Sequence, residues 1–123
     1  MSILDDKTLI KRQYLEGVTI FKTGDEAKEA YLIAKGEVKI YGDEDDIKTE
    51  IATLGEGDIF GEMSLIKNKT RSADAVATIR TNLVVISNKT LQEKMEQADP
   101  LISALIHMLV QRVYALNKTN ILK

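Results

Sequence analysis

The spacing of apolar and polar positions changes period several times along this chain. Asp5 to Tyr14 reads as a short helix, with Leu9 and Ile10 apolar and Asp5 or Asp6 placed to cap it. Val18 to Lys22 is β-branched and alternating, as a strand should be, and Thr23-Gly24-Asp25 is a turn signal. Tyr31–Ala34 and Glu37–Tyr41 read as two strands hinged at Lys35-Gly36, with Val38 and Ile40 alternating against polar neighbours. Thr49 to Leu54 is a further strand, and Gly55-Glu56-Gly57-Asp58 turns tightly into Ile59-Phe60. Ser72–Ile79 and Leu83–Ser87 complete the set. Short strands at this spacing, none broken by proline, predict an antiparallel barrel or jelly roll.

From Ser87 onward the period is helical. Thr90–Gln97 predicts one short helix, and Asp99-Pro100, an N-cap followed by a first-turn proline, opens a longer one to about Asn117. Ile102, Ile106, Leu109, Val113 and Leu116 repeat along it as a coiled-coil type of seam, flanked by Leu101, Leu105 and Met108. A helix apolar on two sides is expected to touch two things.

At 123 residues the chain has the size of one domain. Without cysteine it has no disulfide, thiolate nucleophile or cysteine metal site, and its one histidine, His107, supplies no metal cluster. A net charge of −2, with scattered Lys and Arg, argues against a dedicated nucleic-acid surface. No apolar run reaches the ~18 residues that span a bilayer. The opening MSILDDKTLI is no secretory signal, so the chain is expected in the cytoplasm unless a larger parent carries it elsewhere. The acidic run Gly42–Asp46 lacks the closing Glu and central Gly of a calcium loop and reads as a solvated hairpin tip. What remains is the chemistry of a binding protein rather than an enzyme.

The most informative segment is Phe60 to Ala77, FGEMSLIKNKTRSADAVA. Gly61 lets backbone approach a ligand, and Glu62 follows it within an apolar stretch, where its carboxylate can accept hydrogen bonds from hydroxyls. The N–H groups of Gly61 to Ser64, at an expected helix start, would point at an anion. Arg71, nine residues after Glu62, carries a planar fork that grips two phosphate oxygens at once. Ser72 adds a hydroxyl and an N–H, and Ala73 and Ala75 leave room beside the strand. Any one of these could be a surface ion pair or ordinary barrel packing; the combination in one strand–turn–helix–loop–strand context points to a small anion bearing hydroxyls.

This segment resembles the phosphate-binding cassette of the cyclic nucleotide-binding domain family, and the likeness extends over nearly the whole chain. The resemblance implies an eight-stranded antiparallel jelly-roll barrel with flanking helices: a short N-terminal helix, a barrel over about 15–88, and C-terminal helices over about 89–117, all one domain spanning 1–123. It implies Glu62 on the ribose 2′-hydroxyl, Arg71 on the cyclic phosphate, and Phe60, Gly61, Met63, Ser64, Ser72 and Ala73 around the ligand, with no metal. Cyclic AMP is favoured over cyclic GMP because bacterial activators with serine at the position of Ser72 bind cyclic AMP. The base would be capped from the last helix by His107, Gln111, Arg112, Tyr114 or Asn117. Ligand binding would be relayed through that helix, whose 101–117 face is expected either to meet a second copy or an effector or to pack on the chain's own barrel. With only 118–123 beyond it, no DNA-reading element is expected.

Two positions depart from the family pattern. Thr70 stands where many members carry proline, and Asp74 stands where an uncharged residue is usual; its carboxylate is expected to face solvent. A metal-dependent cupin enzyme would need a histidine cluster that the sequence lacks. The other alternative, a degenerate barrel kept as an interaction module, is opposed by the presence of both Glu62 and Arg71.

Overall fold

The computed structural model describes residues 3–62 and 70–118, without the side chains of 44, 113, 114 and 116–118. Two compact units make up the chain, Met1–Ser87 and Asn88–Lys123.

The first unit holds eight strands: β1 (Ile10–Tyr14), β2 (Thr19–Phe21), β3 (Glu29–Lys35), β4 (Val38–Glu44), β5 (Ile47–Leu54), β6 (Ile59–Phe60), β7 (Asp74–Ala77) and β8 (Thr81–Ser87). They form two four-stranded sheets, ordered β1-β8-β3-β6 and β2-β7-β4-β5, and every pairing is antiparallel. β8 is central because it is apolar on both faces: Leu83, Val84 and Val85 are all buried. Its inward residues join Tyr31, Ile33, Val38, Phe60 and Ala75 in the core.

The N-terminal helix expected over Asp5–Tyr14 does not form. A three-residue 3-10 turn covers Ile3–Asp5, and Ile10–Tyr14 is strand β1. Asp6 caps a turn instead, its carboxylate accepting from the Thr8 N–H at 2.9 Å. The helical signal was a single apolar pair, whereas β8 offers a full ladder from Thr81 to Val85 to this segment. Tertiary pairing outweighs a weak local preference.

The acidic tip is tighter than expected. β4 continues to Glu44, and only Asp45 and Asp46, at φ of 52° and 65°, make the turn into β5. Two successive left-handed residues form the two-residue turn whose twist matches antiparallel strands.

In the second unit, α1 (Asn88–Gln97) starts two residues before the expected Thr90, and α2 (Pro100–Lys118) runs from the expected Pro100 to one residue past the expected Asn117. The Leu101 N–H donates to the Asp99 carboxylate at 2.8 Å, so Asp99 is the N-cap and Pro100 the first helical residue. Ser103 Oγ donates to the Met95 carbonyl at 2.6 Å and ties the two helices together. Leu101, Ile102, Leu105, Met108 and Leu109 are exposed on α2, while Val113 and Leu116 of the expected seam have side chains outside the described residues.

Candidate functional site

The site begins where β6 ends. β6 pairs with β3 through Tyr31↔Phe60 and Leu32↔Ile59, and the chain then turns at Gly61, whose φ of 70° is left-handed. A Cβ on Gly61 would lie 2.8 Å from Arg71 Nη1, so the missing side chain makes room for the arginine.

Arg71 is held by its backbone first. Its N–H donates to the Asp25 carbonyl at 2.7 Å and its carbonyl accepts from the Gly24 N–H at 2.8 Å. Thr70 bridges to Glu26 beside them. The turn predicted at Thr23-Gly24-Asp25 is therefore the clamp that positions Arg71. Asp25 closes that turn, accepting from the Lys22 N–H at 2.9 Å.

The Arg71 side chain is buried, at 7% exposure. Nη2 donates to the Glu29 carbonyl at 2.7 Å and Nη1 to the Gly61 carbonyl at 3.3 Å. Its guanidinium carbon lies 4.1 Å from the centre of the Phe21 ring. Nε is buried and donates to nothing among the described residues. Nor does any described carboxylate pair with Arg71; the Glu29 carboxylate is instead taken by Arg12 at 2.5 Å and by the Tyr31 hydroxyl at 2.8 Å. Burial and that bond to Glu29 push the Tyr31 phenol well above its usual range. A buried cation whose partners among the described residues are two carbonyls and an aromatic face, with one donor left over, is unfavourable alone and well suited to an anion.

The remaining expected site residues fall in three groups. Phe60 is buried in the core, 5.2 Å from the Tyr31 ring centre, so its side chain packs rather than lining a surface. Glu62 and Ser72 are exposed and Ala73 is half-buried, each beside Gly61 or Arg71 in the chain. Met63 and Ser64 lie outside the described residues. Of the helix candidates, His107, Gln111 and Arg112 are exposed, and the side chains of Tyr114 and Asn117 lie outside those described.

Asp74 does not face solvent as expected. Its carboxylate accepts from the Thr23 N–H at 2.7 Å and the Thr23 hydroxyl at 2.9 Å, and pairs with Lys48 at 2.8 Å. The Lys48 and Thr23 bonds hold its pKa down to about 2. Directed this way, it supports the turn that clamps Arg71 and does not compete for the guanidinium. Sequence reasoning missed this support, and it missed Phe21 and the Glu29 carbonyl as partners of Arg71. Only the strand alternation at Phe21 was visible, and it carries no hint of a cation above the ring.

The model of the cyclic nucleotide-binding domain matches residues 11–98. Over 70 residues the chain is 40% identical to the cAMP-dependent protein kinase type II regulatory subunit of Drosophila melanogaster, covering 57% of this chain and 19% of that protein. Over 83 residues it is 41% identical to the cyclic nucleotide-gated channel beta-3 of Mus musculus, covering 65% of this chain and 12% of the channel. The chain thus spans less than a fifth of either relative. Among solved structures, the EAL enzyme Bd1971 in its halfsite-occupied form is similar with a TM-score of 0.83 and 34% identity, over 89% of this chain and 98% of that one. That enzyme is also solved in cAMP-bound and cGMP-bound forms, with TM-scores of 0.64 and 0.66 and 33% identity to each, over 90% and 89% of this chain and 30% of each of those. With the match covering most of its length, and a left-handed glycine and a buried arginine meeting where the pattern requires them, this chain belongs to the cyclic nucleotide-binding domain family.

Proposed function

We propose that residues 1–123 act as one non-enzymatic sensor domain that binds a cyclic nucleotide, cyclic AMP in preference to cyclic GMP, inside a jelly-roll barrel. Arg71 takes the cyclic phosphate, Glu62 the ribose 2′-hydroxyl, and Gly61, Met63, Ser64, Ser72 and Ala73 supply close backbone contacts, with Phe60 anchoring the start of the cassette from the core. The observation that carries this reading is the buried Arg71 guanidinium, which lacks a carboxylate partner among the described residues and keeps Nε without an acceptor. A singly charged phosphodiester supplies the missing charge and acceptors in one group. Ligand then stabilises one arrangement of the cassette over another, and α2, with its exposed apolar residues, passes the change to a second copy or an effector.

Calorimetry with cyclic AMP, cyclic GMP and linear AMP tests the reading. Both cyclic forms should bind, cyclic AMP the more tightly, and linear AMP poorly. Arg71→Lys should weaken binding by ~1.5–3 kcal/mol, the scale of a charged hydrogen bond. Glu62→Gln should cost less, and nothing with a 2′-deoxy analogue. No binding of either cyclic form at millimolar concentration refutes the proposal, and full affinity in Arg71→Lys removes Arg71 as the phosphate ligand.

A further inference from the structure

Phe21 touches Arg71, the buried cation among the described residues of the candidate site, by its face. β2 pairs with β7 through Phe21↔Ala75, and the register shifts between Thr19 and Phe21, an irregularity of the kind that re-aims a side chain. Ala75 is fully buried and small, which leaves the space opposite it to the aromatic ring. The ring belongs to an aromatic cluster, 6.1 Å from the Tyr31 ring and 6.0 Å from the Phe60 ring. Arg71 lies over it at 4.1 Å, inside the ~6 Å range of a cation–π contact, and over Tyr31 only at 5.8 Å.

The geometry points to Phe21 as a positioning residue of the anion site: its ring holds the Arg71 guanidinium by the face, leaving its N–H edge for the ligand. A carboxylate in that role would occupy the same N–H edge that a phosphate needs and would have to be displaced. An aromatic face satisfies part of the cation's charge without using a donor, so stack and ligand coexist. The Glu29 and Gly61 carbonyls take one N–H each of Nη2 and Nη1, and Nε still lacks a described acceptor. Of a guanidinium's five N–H groups three therefore have no acceptor among the described residues. Fixing the fork before binding lowers the ordering cost that a flexible arginine would add to it. The inference rests on Arg71 being the phosphate ligand.

The test is a series at position 21 carrying phenylalanine with one, two and three ring fluorines, together with Phe21→Leu and Phe21→Trp. Fluorine drains the ring face with little change of shape. Cyclic AMP affinity should fall stepwise along the fluorinated series, reaching roughly 3- to 30-fold in the trifluoro form and in Phe21→Leu. Phe21→Trp should keep or tighten binding. The Arg71 Nε–H resonance of the ligand-free protein should be shifted upfield by the ring and should lose that shift in Phe21→Leu. Flat affinity across the fluorinated series in a chain that binds cyclic AMP overturns the positioning role alone. An Arg71 resonance that ignores Phe21→Leu overturns the stack itself, with or without ligand. Failure of the parent chain to bind overturns the ligand reading, and this role with it.

Discussion

Replacing Asp74 by alanine should destabilise the β unit by removing the support of the turn that holds Arg71. Asp74 receives two bonds from Thr23, at 2.7 and 2.9 Å, and its side chain is 18% exposed. Charge-assisted bonds of this kind contribute ~1.5–3 kcal/mol together once partial exposure is discounted. The Lys48 pair adds little, because Lys48 is half-exposed and shared with Asp43 at 3.1 Å. The expected loss is thus ~1.5–3 kcal/mol, or roughly 5–12 °C in melting temperature for a domain of this size. Asp74→Asn, which still accepts from Thr23, should lose only about half as much. The cost should also depend on pH. Because Asp74 is held below its ordinary 3.8, at about 2, its stabilisation is present above pH 3.8 and lost as pH falls through 2. Urea denaturation of parent and Asp74→Ala at pH 7 and pH 3 measures both effects. Equal stability at pH 7, or a gap at pH 3 as wide as at pH 7, refutes the argument.

Two glycine substitutions test the site and the scaffold separately. Gly61→Ala adds a Cβ 2.8 Å from Arg71 Nη1 at φ 70°, so it should cost ~1–2 kcal/mol of stability and weaken cyclic nucleotide binding as the guanidinium is displaced. Stability lost with binding untouched, read by thermal melts beside calorimetry, would separate Gly61 from the site. Gly36→Ala should be far more damaging, by more than ~4 kcal/mol, because its Cβ would collide with the Thr81 hydroxyl and meet the Thr81 backbone at 2.6 Å, at φ 119°. A urea midpoint close to the parent's would mean that β3 and β8 separate more easily here than their close approach indicates.

Where the fold was legible, each signal came from within a single element. Alternation located β2 and β4, because strand burial writes a period of two into the sequence, and the glycine turns at 23–25, 35–36 and 55–58 marked the ends of β2, β3 and β5, whereas Gly42 lies within β4. Asp99-Pro100 located the start of α2 because cap and first turn are neighbours in the chain. β1 was misread for the complementary reason. Its residues Ile10 to Arg12 are exposed, so no buried face impresses a pattern on them, and the ladder that makes it a strand belongs to β8, some seventy positions away in the pairing of Gln13 with Asn82. A segment defined by its partner cannot be recognised from its own periodicity.

The site divides along the same line, and Arg71 shows where. A buried arginine fork, a left-handed glycine and a nearby carboxylate are residue types with restricted uses, so their spacing could be read. What gives Arg71 its properties is contributed by residues with no such restriction: a phenylalanine under the guanidinium, the carbonyl of Glu29, and two backbone bonds to the turn at 24–25. Asp74 makes the point most sharply. Its charge looked like a defect beside a phosphate ligand, and three residues of separation from Arg71 offered no way to decide its direction. In the fold the two side chains leave the same segment toward different partners, Arg71 to Phe21 and Asp74 to Thr23 and Lys48. The carboxylate therefore spends its charge on the far side of the turn, where it stiffens the backbone that fixes Arg71 without neutralising the cation. An out-of-pattern acidic residue is compatible with an anion site as long as its lone pairs are filled elsewhere, and here Thr23 and Lys48 fill them.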